Sequence, residues 1–313
     1  MQQRSWFSVL GIAVLGVIAL TLTPQASSPV PQTASVALTV DDLPSHGPIP
    51  TGLTRVEIAN RIIAALRAAK APPIYGFVNA RLVEQKPEDE EVLKVWRAAG
   101  FPLGNHAYSH MDLHANTADA FQEDVKKNEA ALQKLMSGQD WHWFRYPYLR
   151  EGDTTDKYRR VRTFLDQQKY RVAQVTLDFA DYAYNEPYAR CLAKNDTAGI
   201  DELKQSYLTR AAQSLTRGQE NAKLLFGRDI KHIMLLHIGG FETVMMPHLL
   251  TLLKERGFAL ITLAEAASDE AYKTDVTLPQ NYNGTFLGQL MNAKSLPRPP
   301  ADPFMQKLTS LCQ

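Results

Sequence analysis

Val36-Ala37-Leu38-Thr39-Val40-Asp41-Asp42 is an apolar, β-branched run that stops at two adjacent carboxylates. It reads as a strand. Runs of the same kind recur at 74–78, 102–106, 142–145, 171–177, 233–237 and 259–262, which makes seven with the first. Helical periodicity fills the intervals at 55–69, 88–99, 118–136, 153–168, 201–225 and 244–256; in the first of these Val56, Ile58, Ile62, Ile63 and Leu66 recur at three-to-four spacing. Gly100 and Gly257 follow two of these stretches and suit helix ends. Strand and helix in strict alternation predict parallel strands joined by helices. Seven repeats predict an α/β fold in the form of a distorted seven-stranded (β/α) barrel, closed or nearly closed, rather than an open sheet.

In such a barrel reactive side chains gather at the C-terminal ends of the strands, whatever their distance in sequence. Here Asp41 and Asp42 end the first run, His106 the third and Arg145 the fourth; Asp178 and Asp181 follow the fifth, and His237 ends the sixth. The third run opens Gly104-Asn105-His106-Ala107-Tyr108-Ser109-His110, and the i, i+4 spacing of its histidines predicts both imidazoles on one helical face. A carboxylate with two imidazoles holds a divalent metal, zinc above all, and leaves a position open for water. The second aspartate is then available to take that water's proton. The combination points to metal-assisted hydrolysis.

Composition narrows the alternatives. The chain has 313 residues, 45% of them hydrophobic, and a net charge of +1 with 34 basic residues thinly spread. That pattern carries no electrostatic footprint for nucleic acid. Arg4 followed by an apolar stretch over 6–22 and then Pro24 reads as a signal peptide or an N-terminal membrane anchor spanning 1–28. The body is thus expected to be exported, periplasmic or secreted, with an inner-membrane tether as the alternative, and to be a monomer. A linker covers 29–34 within the Ser, Pro, Gln and Thr-rich segment 26–34, the catalytic domain covers 35–267, and a Thr, Asn, Gly and Pro-rich extension 268–313. Cys191 and Cys312 leave two readings open, a disulfide that pins the C-terminal tail to a mid-chain loop or two unpaired thiols.

Five ordered motifs together resemble the polysaccharide deacetylase family, the NodB-homology carbohydrate esterases of family 4. Thr39-Val40-Asp41-Asp42-Leu43 resembles its Thr-Phe-Asp-Asp-Gly, and Gly104 to His110 its Gly-Asn-His with a second histidine four residues on. Arg145-Tyr146-Pro147-Tyr148, Asp178-Phe179-Ala180-Asp181-Tyr182 and Leu235-Leu236-His237 resemble the remaining three. The resemblance implies that Asp42, His106 and His110 hold the metal, that Asp41 is the general base, and that Arg145 orients it. It implies His237 as the general acid with Asp181 behind it, the backbone N–H of Tyr148 at the oxyanion, and Leu235 and Tyr182 as walls of an acetyl pocket. The implied substrate is an acetylated polysaccharide, first an N-acetylglucosamine-containing glycan such as peptidoglycan or a chitin-like oligomer, with O-acetyl xylan as the alternative. Zn²⁺ is the expected ion, and Co²⁺, Ni²⁺ or Fe²⁺ suit the same donors.

The chain departs from the family at Leu43-Pro44 in place of glycine, at Ile238 after the last histidine, and at Tyr182 in place of tryptophan. These changes reshape the groove and remove no reacting group. Two rival functions are a metal-dependent hydrolase of a small non-sugar amide and a catalytically idle carbohydrate-binding protein. Trp141 and Trp143 are read as groove platforms or core residues, with core packing for at least one. His46, His114, His142, His232 and His248 match no motif position and are read as structural or surface residues, with a position facing the site as the alternative for His46, just after the aspartates in Pro44-Ser45-His46-Gly47.

Overall fold

The computed structural model describes residues 1–2, 34–297 and 303–313. The apolar stretch at 6–22 and the linker up to 33, with the export and tether readings built on them, lie outside the described residues. Among the described residues no helix is long and apolar enough to cross a membrane.

Among the described residues nine strands form: β1 (Ala34–Leu43), β2 (Tyr75–Val78), β3 (Leu103–Asn105), β4 (Trp143–Phe144), β5 (Arg150–Thr154), β6 (Arg171–Val172), β7 (Lys231–His237), β8 (Phe258–Leu260) and β9 (Gln280–Asn283). Seven of them are the expected ones, in one parallel sheet of order β6-β4-β3-β2-β1-β7, with β8 on the first residues of β1. From Val36 to Leu43 every side chain of β1 is buried, as befits a parallel strand covered on both faces. The sheet curls. Beyond β6 the chain swings across to β7, where Leu177 bridges Met234 and the Thr176 and Leu177 amides both donate to Ile233 O. The result is a distorted, incompletely closed barrel, as the alternation implied.

The fifth expected strand, 171–177, is ladder only at Arg171–Val172. The physical reason is Thr176: its hydroxyl takes the Ile233 N–H at 2.8 Å and faces the Ile233 carbonyl at 3.2 Å, substituting a side chain for the backbone ladder. The expected helix 118–136 is two helices, Ala118–Lys127 and Glu129–Met136. They meet at buried Asn128, whose amide donates to Val78 O and Asn105 Oδ1 and accepts from Ala80 N, bracing β2 and β3 from behind.

Helix Arg55–Ala68 shows how locally these elements are specified. Thr54 and Glu57 close a capping box at its start, and Ile58, Ala59, Ile62, Ile63 and Leu66 form the stripe it buries. Gly100 and Gly257 adopt φ +86° and +76° just past the helices Glu90–Ala98 and Glu242–Glu255, as expected of C-terminal stops. The long helix Thr197–Phe226 packs closely on the barrel because of Gly218, where a Cβ would stand 2.2 Å from Leu177 Cδ2.

The C-terminal extension is built into the body. β9 pairs antiparallel with β5, Tyr282 stacks on Tyr158 with ring centroids 3.9 Å apart, and Gln289 donates to buried Glu151 at 2.8 Å. Of the two readings of the cysteines, the bridged one holds: Cys191 and Cys312 form a disulfide across 121 residues. Beside it Arg190 Nη2 donates to the carbonyls of Leu308, Thr309 and Leu311, capping the tail helix Phe304–Ser310.

Cys312→Ser is expected to lower the free energy of unfolding by about 2–4 kcal/mol, the usual range for a bridge that closes a long loop. Urea denaturation of the two proteins under non-reducing conditions measures it.

Candidate metal centre and active cleft

β1 delivers Asp41 and Asp42 to the mouth of the barrel, where the backbone turns through a left-handed φ of 64° at Asp42. His106 and His110 reach the same mouth from the segment after β3. That segment is not helical, contrary to the expectation from their spacing. Ala107 and His110 adopt left-handed φ values of 58° and 56°, while Asn79 Nδ2 donates to the carbonyls of His106 and Ala107 and Asn105 Oδ1 accepts from Ala107 N. Buried asparagines, not a helix face, bring the two rings to 4.9 Å between centroids.

Asp42 Oδ1 lies 3.4 Å from His106 Nε2 and 3.4 Å from His110 Nε2, and the three donor atoms all fall within 4.8 Å of one another. Asp42 Oδ1 is buried and accepts no hydrogen bond, a costly state for a carboxylate oxygen unless a cation completes it. His106 Nδ1 donates to Arg145 O at 2.8 Å, which leaves the Nε2 lone pair facing Asp42. Burial, then His106, draws the His110 pKa down to about 4, so this ring is neutral at pH 7 and its nitrogen is free to coordinate. Burial alone would raise Asp42, but its contacts with His106, His237 and His110 outweigh that and hold it ionised. The donor set fits a divalent ion.

Two carboxylate–cation pairs flank this cradle. Arg145 Nη1 lies 3.1 Å from both oxygens of Asp41, Nη2 donates to Thr39 Oγ1 at 3.0 Å, and Nε donates to Ala173 O at 2.7 Å. Arg145 is 1% exposed and Asp41 2%, so the pair is sealed from solvent. On the other side Asp181 Oδ1 sits 2.8 Å from His237 Nδ1, and its Oδ2 accepts the His237 backbone N–H at 2.6 Å. Burial works against the imidazolium, yet Asp181, with smaller help from Asp42 and Asp41, lifts the His237 pKa to about 10. His237 is therefore held in its protonated form at neutral pH, with Nδ1 committed to Asp181.

Asp41, Asp42, His106, His110 and His237 line one cleft of about 430 Å³, together with Tyr148, Tyr182 and Leu235, while Arg145 and Asp181 stand behind its wall. Tyr148 and Tyr182 stand 55% and 40% exposed at the rim, and Leu235 lies buried in the floor. Tyr148 holds a left-handed φ of 58°, which turns its backbone at the lip. Asp178 also lines the cleft, its carboxyl raised by burial. Trp141 and Trp143 are both buried in the core and take no part in the cleft.

Of the readings of His46, the one that faces the site holds: it lies in the cleft with its Nε2 3.7 Å from Asp42 Oδ2 and is neither a surface nor a purely structural residue. Sequence reasoning misses other lining residues, among them Leu149 and Arg150. Asn283 and Gly284 arrive from the C-terminal extension through the β5–β9 pairing, for which the sequence offers no signal.

Residues 29–166 match the polysaccharide deacetylase family. That part of the chain belongs to this family. The resemblance carried by the motifs is thereby borne out, and the matched region contains Asp41, Asp42, His106, His110 and Arg145. A chitin deacetylase of Arthroderma benhamiae is 28% identical over 111 residues, which are 36% of this chain and 28% of that protein's length. This chain thus spans little more than a quarter of that curated relative. A CE4 family pseudoenzyme from Bacillus anthracis shares the fold of this deacetylase-family chain, with a TM-score of 0.51, 20% identity, and coverage of 76% of this chain and 66% of that one. A mutant of that pseudoenzyme with restored enzymatic activity aligns with a TM-score of 0.51, 21% identity and coverage of 76% and 68%.

Arg145→Met strands Asp41 as a buried, unpaired charge and is expected to destabilise the protein by about 3–5 kcal/mol, measured by denaturant unfolding. In the metal-free protein the His237 ring is expected to titrate near 10 by NMR, with Asp181→Asn lowering it toward or below the free value of 6.5. The sign carries to stability: a raised folded pKa contributes fully below 6.5 and its contribution disappears as pH climbs through about 10.

Proposed function

We propose that the protein is a metal-dependent deacetylase that hydrolyses acetyl groups on a polysaccharide, with N-acetyl groups of an N-acetylglucosamine-containing glycan as the substrate. The observation that carries this reading is the arrangement in one cleft of a three-donor cradle between an arginine-held carboxylate and an aspartate-held imidazolium. The family match supports the substrate class, as does the likeness to a chitin deacetylase.

Asp42, His106 and His110 would hold the ion, with zinc the first candidate for two imidazoles and a carboxylate. Bound there, it supplies Lewis acidity toward water and toward the acetyl carbonyl. Asp41, oriented by Arg145, accepts the proton of the attacking water. The backbone N–H of Tyr148 donates to the oxyanion that develops as the carbonyl carbon becomes tetrahedral. His237 gives its proton to the leaving nitrogen, and Asp181 holds the ring in place through the transfer. Tyr182 and Leu235 close around the methyl group, and the exposed rings of Tyr148 and Tyr182 offer faces to the sugar. The apolar stretch at 6–22 supports an exported enzyme whose substrate lies outside the cytoplasm.

The test is acetate release by the purified protein from N-acetylglucosamine oligomers, peptidoglycan and acetyl-xylan, with and without chelator and added Zn²⁺. Chelator-sensitive release from the N-acetylated substrates is expected, and silence on every glycan with metal bound would overturn the reading. Asp41→Asn should retain metal and lose about 100-fold or more in kcat, whereas His110→Ala should lose the metal itself.

A further inference from the structure

The proposed chemistry leaves one imidazole of the cleft without a role, and its surroundings fix which way its hydrogen points. His46 sits on the loop that leaves β1; its backbone N–H donates to Ile238 O at 2.9 Å, and its ring lies 5.3 Å from that of His237. Behind it stands Asn185, 2% exposed, at the start of the helix Asn185–Ala193. The Phe241 backbone N–H donates to Asn185 Oδ1 at 2.9 Å, so the amide presents its NH₂ to His46 Nδ1, 3.3 Å away. An NH₂ group donates; Nδ1 therefore accepts, and the ring hydrogen resides on Nε2.

That Nε2 lies 3.7 Å from Asp42 Oδ2, a separation that a small swing of either side chain closes to a hydrogen bond. The other oxygen of the same carboxylate, Oδ1, is the one that His106 and His110 face. The arrangement has its own built space. A Cβ on Gly47 would stand 3.0 Å from Asn185 Cβ, and one on Gly239 would stand 2.2 Å from Asn185 Nδ2, so two glycines make room for the asparagine that sets the tautomer.

We infer that His46 is a positioning residue for the metal site: the relay from Phe241 N–H through Asn185 presents the His46 Nε2–H to the outer oxygen of Asp42 and keeps the inner oxygen turned toward His106 and His110. The inference rests on the reading of Asp42, His106 and His110 as metal ligands. Ligating carboxylates are themselves held by hydrogen bonds, and loss of such a partner costs about 10–100-fold in metal affinity. The role belongs to this chain's own loop sequence, Leu43-Pro44-Ser45-His46, where it departs from the family pattern.

The experiment titrates Zn²⁺ into the metal-free protein against a chromophoric chelator, for the unaltered chain, His46→Ala and His46→Gln, and records the visible spectrum of each Co²⁺ form. His46→Ala is expected to bind Zn²⁺ about 10–100-fold more weakly at an unchanged thermal midpoint of the metal-free form. His46→Gln, whose amide restores an N–H at the same reach, should recover most of the affinity and the original Co²⁺ spectrum. Unchanged affinity in His46→Ala would overturn the inference, as would a loss that glutamine fails to restore, which would make His46 a ligand in its own right. Failure of the unaltered chain to take up either metal would instead overturn the metal reading beneath it.

Discussion

The buried guanidinium of Arg145 is the constraint around which the site is organised. A charge removed from water must be met on all sides, and Arg145 is met by three residues from two parts of the barrel: Asp41 and Thr39 on β1, and Ala173 just past β6. Its own backbone completes the set, with its N–H donating to Asn105 O at the end of β3 and its carbonyl accepting from His106 Nδ1. One residue thereby links Asp41, His106 and the curvature of the sheet. The sheet cannot flatten without exposing that charge, and the tautomer of His106 cannot change without losing its contact to the same residue.

Around this tie the charges are sorted. Asp41 has Arg145 and Asp181 has His237, each carboxylate supplied with a cation of its own. Asp42 has none: its neighbours are imidazoles, one of them held neutral by burial. Deeper in the wall Glu242 is pushed strongly upward by burial, with Asp181 adding to the effect, and accepts the Tyr207 hydroxyl at 2.5 Å. An uncompensated carboxylate between two compensated ones is the electrostatic mark of a cation site.

Much of this is legible in the amino-acid sequence because it is local. Each strand of the barrel shows as a short apolar run, and strand ends are where polar residues interrupt those runs, so the order of residues alone places Asp41, Asp42, His106, Arg145 and His237 at one end of the barrel. What stays hidden is whatever depends on partners distant along the chain. The spacing of His106 and His110 suggests a helix, because a four-residue interval fits one; the loop that holds them is specified by Asn79 and Asn105, whose side chains bond to backbone in a pattern without periodicity. The fifth strand breaks at Thr176, a good strand former that instead turns its hydroxyl to Ile233. His46 looks ordinary for the same reason, since its importance depends on Asn185, 139 positions away.

The β5–β9 ribbon places part of the cleft wall under separate control. Asn283 and Gly284 stand at the rim, yet they belong to a segment that follows the last barrel strand and is fastened to the body by backbone pairing with β5 and by a tyrosine stack. The three-donor cradle and this part of the rim are thus encoded in different stretches of the chain. A change in the terminal segment can reshape the mouth of the cleft while Asp42, His106 and His110 keep their places.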